Sequence, residues 1–223
     1  MRTLPHPSVE VRDAAVDLHG VTRLFGAAPA VVRVDLSIER GEAVVVRGPN
    51  GAGKSTLLRI VATSLSPTYG TGSVLGFDLV TEREEIRSRC ELLTHRTRLY
   101  EELTARENLR LFTDLLGTSR ERADRALGQV GLGAVADERV RGFSQGMRQK
   151  VAVARTIARD PELLLLDEPA TGLDDSAREV VRSMILDASN RGRTVVIATH
   201  QEVPDSLEAR VVSMLDGQIC GTT

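Results

Sequence analysis

Only two cysteines, Cys90 and Cys220, occur in the 223 residues, far apart and without a CxxC spacing or a neighbouring histidine pattern. That excludes a disulfide framework and a zinc site, and it fits a reducing, cytosolic compartment. An excess of charge is lacking too, since 29 Lys and Arg face 31 Asp and Glu. No whole-chain field draws the protein to nucleic acid or to an anionic membrane surface, and no nucleic-acid partner is expected. The chain also lacks the roughly 18 consecutive apolar residues that a membrane-spanning helix requires. Any membrane association must come through a partner. The N-terminus, MRTLPHPSVEVRD, is polar and has two prolines before any apolar run; it reads as a loose leader rather than a secretory signal. Neither an internal repeat nor a low-complexity tract is visible.

With 41% hydrophobic residues the chain can bury a core of one compact domain. Short β-type runs at Ala15 to His19, Val31 to Ile38 and Ala43 to Arg47 are punctuated by Gly20, Gly26 and Gly41 and predict strands. A glycine-rich turn follows, and from Lys54 to Leu65 the apolar residues recur at helical spacing. The stretch from Glu82 to Gln129 is rich in Arg, Glu and Leu, with helical periodicity over Ala105 to Leu116 and Arg120 to Val130. It predicts a helical insertion at roughly 82–145. Leu163 to Leu166 and Thr194 to Ala198 read as strands buried on both faces of a parallel sheet. Alternating with helices at Met147 to Ala158 and Ser176 to Arg191, they predict an α/β layered core.

Gly48-Pro49-Asn50-Gly51-Ala52-Gly53-Lys54-Ser55 fits G-x-x-x-x-G-K-[ST] between a predicted strand and a predicted helix, as a phosphate loop requires. Its glycines let successive N–H groups face inward around an anion, at the positive end of a helix. Lys54 adds charge for the β- and γ-phosphates. The Ser55 hydroxyl is a hard oxygen suited to Mg²⁺, and Thr56 can reach a neighbouring phosphate oxygen. Farther on, the leucine strand ends in Asp167 and Glu168, at the strand edge where ligands bind in open α/β sheets. Asp167 is suited to hold Mg²⁺ through water, and Glu168 to polarise the attacking water as a general base. His200, just past Val195 to Thr199, should emerge at the same edge, placed to hydrogen-bond a γ-phosphate.

In this order the elements resemble the nucleotide-binding domain of ABC transporters. The distinguishing segment is Phe143-Ser144-Gln145-Gly146-Met147, which stands where that family has LSGGQ, followed by a similar helix from Arg148 to Arg155. The resemblance covers about Val16 to Gly217. It implies a P-loop NTPase core with a mostly parallel sheet, an N-terminal antiparallel β subdomain and an inserted α-helical subdomain. It further implies ATP hydrolysis with Mg²⁺, a homodimer or pseudo-dimer sandwiching two nucleotides, and separate transmembrane subunits. The chain would then be cytoplasmic, peripheral on the inner face of the cell membrane. By the same resemblance Ser144, Gln145 and Gly146 contact ATP held by the other subunit. Thr171-Gly172-Leu173-Asp174 is similar to the D-loop that crosses between subunits, and Phe25 matches the aromatic that stacks on adenine.

Two positions depart from the family pattern. His95 stands where the Q-loop glutamine should fall, eight residues before Leu103, and imidazole is a poorer Mg²⁺ ligand than an amide oxygen. It could instead bond the attacking water or relay motion toward a membrane partner. Gln145 and Met147 replace Gly and Gln in the signature. His95, the short chain and Thr199-His200-Gln201 together look like the haem-exporter ATPase of cytochrome c maturation. A soluble ABC ATPase of DNA repair or translation is the rival reading. Such relatives carry long coiled coils, zinc-binding cysteines or a second ATPase domain, none of which is visible in this sequence.

Overall fold

A computed structural model describes residues 14–94, 96–115, 117, 119–201 and 203–222. An antiparallel hairpin opens it: β1 (Ala14–Phe25) and β2 (Ala28–Glu39), with β4 (Tyr69–Val74) and β5 (Phe77–Asp78) joining in the order β2-β1-β4-β5. Gly20 does not end the first strand as the sequence suggested. It sits at φ 58 where the pairing of β1 with β2 slips between Leu18 and Val21, a bulge that only interrupts the ladder.

The second sheet runs β10-β9-β3-β8-β7-β6. Its strands are β3 (Ala43–Arg47), β6 (Cys90–Thr94), β7 (Leu163–Asp167), β8 (Thr194–Ala198), β9 (Ala209–Leu215) and β10 (Gln218–Thr222). All pairings are parallel except that of β10 with β9. Alternation explains why β7 and β8 are continuous apolar runs. Leu164, Leu166, Val195 and Ile197 enter one core cluster, while Leu163, Leu165, Val196 and Ala198 enter the other. Each fully buried leucine contributes about 1.5–3 kcal/mol, so these short strands anchor both layers.

Helix α1 (Lys54–Val61) packs on the cluster shared with the antiparallel sheet, and α2 (Arg83–Arg89) follows β5. The other cluster joins α3 (Ala105–Leu115), α4 (Arg120–Gln129), α5 (Gln145–Arg159) and α6 (Asp175–Asn190) to the parallel sheet. One correction falls inside the stretch read as helical: β6 is a strand, paired with β7 from Cys90↔Leu163 to Thr94↔Asp167. Charged α2 precedes it and hides a strand of five residues within a helical average. No helix among the described residues is long and apolar enough to cross a membrane.

Candidate functional site

The register of the parallel sheet levels the strand ends. Val46 lies beside Ala198, Ala198 beside Asp167, and Asp167 beside Thr94. Whatever follows β3, β8, β7 and β6 therefore gathers at one edge, the ligand-binding edge of an open α/β sheet. After β3 comes the phosphate loop, after β7 Glu168, after β8 Thr199 and His200. After β6 comes His95, which lies outside the described residues.

Gly53 caps α1 at φ 99, and its carbonyl accepts from Leu57 N at 2.9 Å, so the loop feeds straight into the helix N-terminus. Asn50, Gly51, Ala52, Gly53, Lys54, Ser55 and Thr56 line a cavity of 190 Å³ with Ala30 and Glu168. Gly48 and Pro49 supply carbonyls: buried Lys54 donates from Nζ to Gly48 O at 2.7 Å and Pro49 O at 3.1 Å. A nearly buried ammonium needs partners. Here only main-chain carbonyls satisfy it, and an incoming phosphate is the stronger acceptor.

Ser55 Oγ donates to Asp167 Oδ1 at 2.7 Å, and Asp167 is 3% exposed. Two hard oxygens side by side at the mouth of a phosphate loop fit Mg²⁺, which takes few protein ligands and keeps waters. No cluster of three His, Cys, Asp or Glu suited to a protein-only metal cage occurs among the described residues. The donor set thus suits a cation that arrives with phosphates.

Glu168 stands at φ 50, a left-handed conformation that costs a non-glycine residue about 1–2 kcal/mol. Its N–H is fixed to Ala198 O at 2.9 Å. Its carboxylate accepts from Thr171 Oγ1 at 3.0 Å and Thr199 Oγ1 at 3.4 Å, and lies 2.8 Å from His200 Nδ1. Because an ionised carboxylate only accepts, that contact requires the proton on Nδ1 and leaves Nε2 to face outward. The two threonines are functional contacts that the sequence reading missed. Thr171 carries its own signal, three residues after the acidic pair. Thr199 was seen only as part of a tripeptide.

The signature residues assemble elsewhere. Ser144 caps α5, its Oγ accepting from Met147 N at 3.2 Å, and Asp174 caps α6 by accepting from Ala177 N at 2.8 Å. Gly146 is buried against the Asp174 carboxylate, which leaves no room for a Cβ, and Gln145 packs toward Gly172. None of Ser144, Gln145, Gly146 and Asp174 lines the phosphate-loop cavity of the same chain. Phe25, at the end of β1, is also outside it and is 48% exposed.

A phosphate loop at a helix N-terminus, with an acidic pair and a histidine at neighbouring parallel strand ends, defines a P-loop nucleoside triphosphatase. The ABC transporter family profile matches residues 31–171, more than half of the chain. The ATP-binding protein NatA of Bacillus subtilis (strain 168) is 39% identical over 196 residues, which cover 85% of this chain and 80% of that protein. The daunorubicin resistance ATP-binding protein DrrA3 of Streptomyces coeruleorubidus is 38% identical over 212 residues, covering 93% of this chain and 67% of that relative. The fold superposes at TM-score 0.82 and 28% identity on a dimeric post-hydrolysis state of the ATP-binding cassette MJ0796 with ADP and Pi, covering 93% of this chain and 97% of that one. The chain belongs to the ABC transporter family, as an ATP-binding, ATP-hydrolysing subunit.

Proposed function

We propose that two nucleotide-binding units close face to face and that each ATP is held between the phosphate loop of one and the Ser144–Gly146 segment of the other. The observation that carries this is the division of the site. The cavity of 190 Å³ is smaller than the roughly 300–1,000 Å³ of an ordinary ligand pocket. The second anion-binding element, the start of α5, lies outside it. In this reading the loop amides and Lys54 bind the β- and γ-phosphates, Thr56 contacts a further phosphate oxygen, and Phe25 carries the adenine. Mg²⁺, held by Ser55 and through water by Asp167, supplies neutralisation of the phosphate oxygens. Glu168 accepts the proton of the attacking water, which displaces ADP and releases phosphate. His200 orients Glu168 and bonds the γ-phosphate. Binding closes the dimer and product release reopens it, and that motion drives separate transmembrane subunits from the cytoplasmic side.

For the cargo, the name of DrrA3 supports export of an amphipathic organic molecule. The haem-export reading rests on His95 and the Thr199-His200-Gln201 tripeptide alone. The test is isolation of the tagged chain from its native membranes with whatever integral membrane subunit accompanies it, followed by transport in inverted vesicles. ATP-dependent daunorubicin uptake is expected. Uptake of haem but not of daunorubicin would overturn the drug-like cargo, and recovery with nucleic acid or ribosomes in place of a membrane protein would overturn transport.

A further inference from the structure

Phe25 belongs to neither core cluster and is 48% exposed, so the fold's own packing does not hold its ring. Arg23 does. Two residues earlier on the same strand it projects to the same face, and its guanidinium carbon lies 4.8 Å from the ring centroid. The arginine is itself anchored, donating from Nη1 to Ser66 O at 3.0 Å. Ser66 lies in the segment just past α1, where Arg83 Nη2 donates to Ser66 Oγ at 2.9 Å. Two further bonds stitch the same segment to β1: Leu24 N to Thr68 Oγ1 at 3.1 Å and Thr68 N to Thr22 O at 2.7 Å. The buried Nε of Arg23 has no hydrogen-bond partner. A pure tether would saturate its donors, whereas this guanidinium sits where the ring places it.

We propose that Arg23 is a positioning residue of the nucleotide site: it backs one face of the Phe25 ring so that the other face receives the purine. The inference rests on the reading of Phe25 as the adenine platform. The cation acts in two ways. It fixes the ring orientation before the base arrives, which removes an ordering cost from binding. It also draws electron density from the ring, making the open face a better partner for an electron-rich purine. Through Ser66 the platform is tied to α1, whose N-terminus holds the phosphates, so base and phosphate subsites keep a fixed separation.

The test compares ATP with inorganic tripolyphosphate, which has phosphates but no base, as ligands of the full chain. Phe25→Ala should weaken ATP by about tenfold and leave tripolyphosphate unchanged, from the usual worth of base–aromatic stacking. Arg23→Met should raise KM for ATP about two- to fivefold with kcat unchanged and tripolyphosphate unaffected, the scale of an exposed cation–π contact. Arg23→Lys should restore most of the loss. If Arg23→Met weakens both ligands alike, or ATP not at all while Phe25→Ala does weaken it, the role given to Arg23 is wrong and stacking stands. If Phe25→Ala leaves ATP binding intact, the platform reading fails first.

Discussion

Gly53→Ala adds one methyl group where the chain is already closed. The new Cβ would lie 2.3 Å from Ala30 O, well inside the 3.0 Å that real Cβ atoms respect, with Met214 Cε and Gly217 Cα at 3.3 and 3.4 Å. Ala30 O is main chain of β2 and cannot swing aside. Gly217 donates to Ala52 O at 3.1 Å and accepts from Val32 N at 2.8 Å, so a shift would strain the tie between β2, the phosphate loop and the β9–β10 turn. The backbone conformation, φ 99, adds its own cost. About 1–2 kcal/mol for the left-handed region and about 1–3 kcal/mol for overpacking give a destabilisation of ~2–5 kcal/mol. For a domain of this size that is a fall in Tm of about 5–15 °C, read by circular dichroism. Gly51 provides the control: it has φ 85, but a Cβ there meets nothing within 4 Å. Gly51→Ala should lose only the conformational part, about 2–6 °C. Melting of Gly53→Ala at or above Gly51→Ala would refute the close approach of β2 to the loop.

Other outcomes follow from the same geometry. Glu91, 9% exposed, accepts from Arg155 Nη2 at 3.4 Å and from Arg159 Nη1; Glu91→Gln should cost on the order of 3 kcal/mol in urea unfolding, because two guanidinium groups lose their counter-charge. Burial pushes the Asp160 carboxyl up, but Arg193, Arg191 and Arg122 outweigh it and hold the group below the usual carboxylate range. A depressed folded-state value gives stability that is present above about pH 4 and lost as pH falls through the folded-state pKa. Asp160→Asn should therefore unfold at lower urea than wild type at pH 7, with the gap narrowing toward pH 4 and below. Lys54→Ala should abolish detectable ATP binding in calorimetry, since no other buried cation reaches the loop carbonyls of Gly48 and Pro49.

What the sequence could reveal depended on how far each signal extends. The phosphate loop, the leucine strand and the α5 and α6 helices are local patterns, and they stand within a residue or two of where periodicity put them. Strand β6 was hidden because its pairing with β7 is a long-range fact, while its neighbours α2 and α3 dominate the local average. The hold on Glu168 was illegible for a similar reason: Thr171, Thr199 and His200 converge only because β7 and β8 are in register. Arg23 gave no signal at all. Its meaning comes from Ser66, forty-three positions away, and from a ring it covers.

The division of one ATP site between two copies is tested most directly with Glu168→Gln, measured beside wild type for ATP hydrolysis and for mass in solution with and without ATP. Removing the general base should lower turnover by about 10²–10⁴-fold while binding persists, so the variant should become a stable dimer when ATP is added. Wild-type-like hydrolysis, or a variant that binds ATP and stays monomeric, would contradict the composite site.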